Sequence, residues 1–255
     1  MHSNMSTKMY NSLGIGCSFT NQNYKFREHE KKLFGKDRIP WSTWDHLVAN
    51  YYEWNHLNIG QSGRGLDWMV DTIHSVDTSL YDVLIVGGST WDRFTTAYYN
   101  PATLRYSHIV MKGDTEATLP YEPNVEYAIA HTLSNIISLI HHCIINDKKL
   151  IYAQILPPFD HYQHKLSQYK QIKNLKHCER YMLKNKMFET IEKYRNHPNI
   201  NILGWPFYEM LGGSSVWIWN DKKICISNDD RHPNAKGHIF IANHVTDLLE
   251  KEKND

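Results

Sequence analysis

Five short apolar runs divide this chain, around Ser12–Ile15, His56–Ile59, Val83–Val86, Leu150–Ile155 and Asn201–Leu203. Each ends in glycine, proline or small polar residues, the usual boundary of a strand's carboxyl end. Segments with helical character alternate with them. Trp41–Tyr52 sets Trp44, Leu47 and Val48 on one face, and Leu66–Ser75 follows the second run. Val125–Ile145 is long and strongly apolar, Lys165–Tyr194 is polar and basic, and Ala235–Lys251 closes the chain. This alternation predicts a parallel sheet covered on both faces. In such sheets ligands bind beyond the carboxyl ends of the strands. The loops CSFTNQ, GQSGRG, GGSTWDR and LPPFD fall at that edge, so their order predicts one convergent pocket.

With 255 residues, no internal repeat and no evident linker, one domain over 1–255 is expected. Two aromatic-rich insertions interrupt the pattern, at about 90–124 and 204–228. Such loops either pack their own aromatic rings or wall a substrate cleft. Lys and Arg number 28 against 27 Asp and Glu, so no global field recruits nucleic acid or an acidic membrane. Four widely spaced cysteines (Cys17, Cys143, Cys178, Cys225) form no CxxC and fit a reducing compartment. The start, MHSNMSTKMYNS, lacks the charged and apolar regions of a secretory signal. The most apolar run, IISLIHHCII, is too short to span a bilayer. A soluble, cytoplasmic protein is expected.

Ser18 closes the first strand in Gly16-Cys17-Ser18-Phe19-Thr20. It is either a nucleophile or a serine that caps a turn. Its setting is not the GxSxG elbow of the α/β-hydrolases. Neighbouring side chains on an extended chain point to opposite sides, so Cys17 is expected in packing if Ser18 faces the crevice. Near the other end lies NDDRHPNAKGH, Asn228 to His238. Asp229 precedes His232 by three residues, and Pro233 turns His232 out of helical geometry. The carboxylate can then hold Nδ1 and leave Nε2 as a base, so Ser18, His232 and Asp229 supply the parts of a hydrolytic triad. Asp230 is a rival orienter at a less favourable spacing.

In these blocks and their order the chain resembles the SGNH (GDSL-type) hydrolase family. Gly16-Cys17-Ser18-Phe19-Thr20 resembles the first block, with Cys17 in place of the usual aspartate. PWSTWDHLVANYY resembles the family's early helix, Asn58-Ile59-Gly60-Gln61-Ser62-Gly63 the second block, and Asp229 with His232 the last. The resemblance implies a single three-layer α/β/α domain, with a flavodoxin-like, doubly wound parallel sheet of about five strands. It implies Ser18 as nucleophile and oxyanion donor, Gly63 as a second backbone donor, His232 as base and Asp229 as its orienter. Gly60 is the alternative donor if the alignment slips.

The third block departs from the family's GxND, because Ser89 stands where the asparagine should and Thr90 where the aspartate should. A hydroxyl reaches less far than an amide, and losing one good oxyanion donor costs ~3 kcal/mol, about a hundredfold in rate. Thr90 or Arg93 can compensate, or Trp91, Asp92 and Arg93 simply close the loop. Trp91 and Arg93 are carried forward as substrate-binding candidates.

The expected activity is hydrolysis of a small carboxylic or O-acetyl ester, on a carbohydrate or a short acyl chain, without cofactor. Three rivals remain. Asp160, His161 and His164, with His141 and His142, can be read as metal ligands, but no HExxH-like spacing supports them. The basic stretch from Lys165 to Lys186, with Tyr162, Tyr169 and Tyr181, can be read as a phosphate-backbone track or as a solvated helix face. Finally, the Ser89 substitution suits an SGNH-fold protein that kept binding and lost turnover.

Overall fold

Val83-Leu84-Ile85-Val86 offers no polar residue for a solvent face, and all six residues of β3 (Val83–Gly88) are buried. This burial on both faces belongs to the middle of a parallel sheet. The structure, a computed structural model, describes residues 9–89, 94–100, 105–111, 125–155, 184–194, 196–203, 224–226 and 232–252. In it β3 is flanked by β1 (Asn11–Gly16), with β2 (Asn55–Asn58) at the edge beyond. On the other side lie β6 (Lys149–Gln154) and then β7 (Ile200–Leu203). All four pairings are parallel, in the order β2-β1-β3-β6-β7. Counted within the sheet this is 2-1-3-4-5, the flavodoxin-like order.

The helices cover both faces. α2 (Trp44–Tyr51) packs on α6 (Ala235–Glu252), with α2 against β1 and α6 against β7. α3 (Leu66–Ser75), α4 (Val125–Ile145) and α5 (Lys186–Tyr194) pack in series on the other face, α3 against β1 and α4 against β6. The architecture is three-layer α/β/α. One apolar cluster joins the layers, from Trp44 and Val48 through Leu13, Ile15 and Ile85 to Met69, Ile73 and Ile136.

Several boundaries differ from the sequence reading for local reasons. α2 begins at Trp44 and not at Trp41, because the Gln22 side chain ties down the preceding residues. Gln22 Nε2 donates to the Trp41 carbonyl (2.8 Å), and its Oε1 accepts from the Thr43 N–H (3.0 Å). A further helix, α1 (Glu28–Phe34), has a charged sequence without an apolar stripe and is fixed by its ends. The Arg27 N–H donates to Glu30 Oε2 (2.8 Å), and Gly35 closes the helix at φ 63°. The first insertion contains an antiparallel pair, β4 (Phe94–Asn100) with β5 (Arg105–Met111). Of the second insertion, only 224–226 fall within the described residues. So does only the end of the segment Lys165–Tyr194, expected to form one helix or two, where Asn185 Oδ1 accepts the Met187 N–H (2.9 Å) at the start of α5. Among the described residues no helix is long and apolar enough to cross a membrane.

Candidate active site

The turn after β1 is folded back onto the sheet edge by its own residues. The Thr20 N–H donates to the Cys17 carbonyl (3.0 Å), and Cys17, Phe19 and Thr20 are buried while Ser18 remains partly exposed. Cys17 therefore packs inward, as its alternation with Ser18 predicts. Thr20 occupies the space that side chains at Gly16 and Gly87 would fill. These glycines are paired neighbours at the ends of β1 and β3, so two missing Cβ atoms let the turn settle over the strand ends. The Trp44 indole N–H then donates to Thr20 Oγ1 (3.1 Å), which pins the turn to α2.

His232 reaches this turn from the far end of the chain. Its carbonyl accepts the Ile226 N–H (2.8 Å), Cys225 bridges to Pro233, and Asn234 Oδ1 accepts the Gly237 N–H (3.1 Å) at the start of α6. Nε2 of His232 lies 2.7 Å from Ser18 Oγ across 214 positions of sequence. Two aromatic rings flank the imidazole, Tyr24 at 4.3 Å and Phe19 at 4.9 Å between centroids. With Nε2 on the hydroxyl, Nδ1 is the nitrogen left for an orienting carboxylate. Asp229 and Asp230 lie outside the described residues.

Three groups were candidates to complete an oxyanion site beside Ser18. Gly63 has φ 76°, a left-handed conformation that strains any residue with a Cβ. Gly60 packs against the Thr20 carbonyl, and its N–H is already donated to Asn58 Oδ1 (3.1 Å). Ser89 follows β3 directly and is buried, with its carbonyl accepting from Gln154 Nε2 (2.6 Å). Thr90, Trp91, Asp92 and Arg93 lie outside the described residues.

Among the described residues no group of three or more His, Cys, Asp or Glu side chains could hold a metal ion. His141 Nε2 meets the Tyr194 hydroxyl (3.0 Å) and His142 Nε2 meets Thr78 Oγ1 (3.1 Å). Asp160, His161 and His164 lie outside the described residues, as does the basic stretch except Lys184 and Lys186. Sequence reasoning missed a polar group under the Ser18 turn, in which the buried side chains of Asp45 and His56 meet the half-buried Asn58, with His238 buried nearby against the Trp44 N–H. Its only signal was a charged residue, Asp45, inside the otherwise apolar stripe of α2. Burial alone would push the Asp45 carboxyl up, but the His56 hydrogen bond and charge, with Thr43 and Asn58, hold it below the usual range.

No family model matches this sequence, and no curated protein does. Similarity is found in solved structures. A protein assigned to the G-D-S-L lipolytic family from Desulfitobacterium hafniense has a TM-score of 0.50 at 12% identity, covering 94% of this chain and 99% of its own. The psychrotrophic esterase EstA from Pseudoalteromonas sp. has a TM-score of 0.47 at 13% identity, covering 96% of this chain and 100% of its own. The chain has the fold of the SGNH (GDSL-type) hydrolases.

Proposed function

We propose that this protein is a serine hydrolase that cleaves a small carboxylic or O-acetyl ester through an acyl-enzyme. The observation that carries the reading is the 2.7 Å contact between Ser18 Oγ and His232 Nε2 at the carboxyl edge of the sheet, within the range for a nucleophile and its base. Ser18 Oγ attacks the ester carbonyl while Nε2 takes its proton. The resulting oxyanion accepts hydrogen bonds from the N–H groups of Ser18 and Gly63, with Ser89 as a third donor. The imidazolium protonates the leaving alcohol, and a water activated by Nε2 then releases the acid and restores Ser18. Asp229 orients Nδ1 throughout, and Trp91 and Arg93 contact the substrate. The substrate class is a short acyl ester or an acetylated carbohydrate. The whole chain acts as one domain, in the cytoplasm. The Ser18–His232 contact favours turnover over a binding-only role, because binding alone does not require an imidazole nitrogen at a serine hydroxyl.

A fluorophosphonate probe tests the reading. It is expected to label Ser18, mapped by peptide mass, and the labelling should disappear in His232→Ala. Absence of labelling on well-folded wild-type protein would falsify the nucleophile assignment.

Ser89 sets a second expectation. Asparagine carries its donor further than a serine hydroxyl, so Ser89→Asn should raise kcat on a simple acetyl ester. An unchanged or lower kcat would show that another group already serves as third donor.

A further inference from the structure

Asn58 joins the two loops that carry the proposed oxyanion donors. Its Nδ2 donates to the Thr20 carbonyl (2.6 Å), in the turn that holds Ser18. Its Oδ1 accepts the Gly60 N–H (3.1 Å), in the loop that leads to Gly63. The second Nδ2 proton goes to Asp45 Oδ2 (2.6 Å). An asparagine amide can flip, and flipping would break both loop contacts. A carboxylate only accepts hydrogen bonds, so Asp45 admits one orientation, with Nδ2 facing it and Oδ1 facing Gly60.

Asp45 is itself fixed. His56 Nε2 lies 2.9 Å from the same Oδ2, and both side chains are buried. His56 is held in turn through Nδ1 by Ser12 Oγ (2.9 Å). The pair occupies the space beside β1 that a side chain at Gly14 would fill. A buried carboxylate is costly unless it is paired and hydrogen-bonded, and this one is shared between the His56 imidazole and the Asn58 amide at the seam between the two loops. Both loops also meet directly: Gln61 N–H donates to the Gly16 carbonyl (3.0 Å), and Asn21 Nδ2 donates to Ser62 Oγ (3.0 Å).

We infer that Asp45, with His56 behind it, acts through Asn58 as a positioning device that sets the spacing of the Ser18 and Gly63 N–H groups. This deepens the hydrolase reading and rests on it. These are positioning residues, since none touches the reacting atoms. Donors aimed at an oxyanion matter more in the transition state than in the ground state. Loosening them therefore lowers kcat and leaves KM nearly alone.

The test compares wild type, Asn58→Ala, Asp45→Asn, His56→Leu and His56→Gln on p-nitrophenyl acetate, with active sites counted by fluorophosphonate labelling. Asn58→Ala is expected to lower kcat per labelled site about a hundredfold, with KM within about threefold of wild type. Asp45→Asn and His56→Leu should fall in the same direction. His56→Gln keeps an N–H donor for Asp45 and should recover most of kcat, which supplies the reading if Asn58→Ala fails to fold. A purely architectural role predicts fewer labelled sites, each with wild-type kcat, and that result overturns the positioning role alone. A folded wild type that is neither labelled nor active overturns the hydrolase reading and this inference with it.

Discussion

Replacing Ser18 by alanine is expected to lower kcat/KM on an acetyl ester by about 10⁴-fold or more, while KM changes little. In the proposed mechanism the substitution removes the atom that becomes bonded to the acyl group. No neighbour can take its place, because Cys17 is buried and faces into packing. A loss of 10⁴ corresponds to about 5.5 kcal/mol of transition-state stabilisation. Removing the His232 imidazole should cost a similar factor, because Ser18 then has no acceptor for its proton. The double variant should be scarcely worse than either single one, since groups that act as a unit are not additive. Additive losses in a rate assay would mean that the two residues serve separate steps. Near-wild-type turnover in Ser18→Ala would remove the acyl-enzyme mechanism.

The second large effect concerns stability in mild acid, through His238. This side chain on α6 is 2% exposed, and its Nδ1 accepts the Trp44 N–H (3.2 Å) at the first turn of α2. Accepting that bond requires an unprotonated Nδ1. Burial depresses the imidazole to about 4; the Asp45 charge pulls it up and the His232 charge pushes it down. An unfolded histidine titrates near 6.5. Between these values the unfolded chain binds a proton that the folded chain refuses, so stability rises with pH across that window and falls on acidification. The contribution is complete above about 6.5 and lost by about pH 4, on the order of 3 kcal/mol in total. Urea unfolding at pH 7 and pH 4.5 should show this loss in wild type and much less of it in His238→Asn, which keeps an acceptor without a titrating ring. Equal losses in both proteins would assign the acid sensitivity to other groups. Asp45 is separable by its window: its folded value is lowered from 3.8, so its stabilisation fades only below that.

The sheet was legible because its strands are short, largely apolar and closed by glycine or small polar residues. The ends of the site were legible for a different reason, since Ser18 and His232 sit in short motifs whose chemistry needs those residue types. α1 was not legible, because capping and a closing glycine stabilise it without an apolar stripe. The β4–β5 pair was not, because FTTAYYN and RYSHIVM mix polar and aromatic residues without clean alternation. The polar group under the turn was hidden more deeply. Asp45 stands on α2 and His56 and Asn58 on β2, and nothing in a linear sequence shows that these polar side chains meet. Asn58 was visible in its motif, but its work lies in orienting loops and leaves no signature in residue type.

The α2–α6 seam couples two properties of the molecule that are usually tuned apart. His232 stands just before α6, and His238, one turn along that helix, anchors it to the first residue of α2. The indole of that same residue, Trp44, holds the turn that presents Ser18. A single tryptophan thus joins the two sides of the site, its backbone bonded to His238 on the helix that follows His232 and its indole to Thr20 in the turn of Ser18. The seam that carries the acid-sensitive contact of His238 is therefore also the seam that holds the turn of Ser18 and the approach to His232.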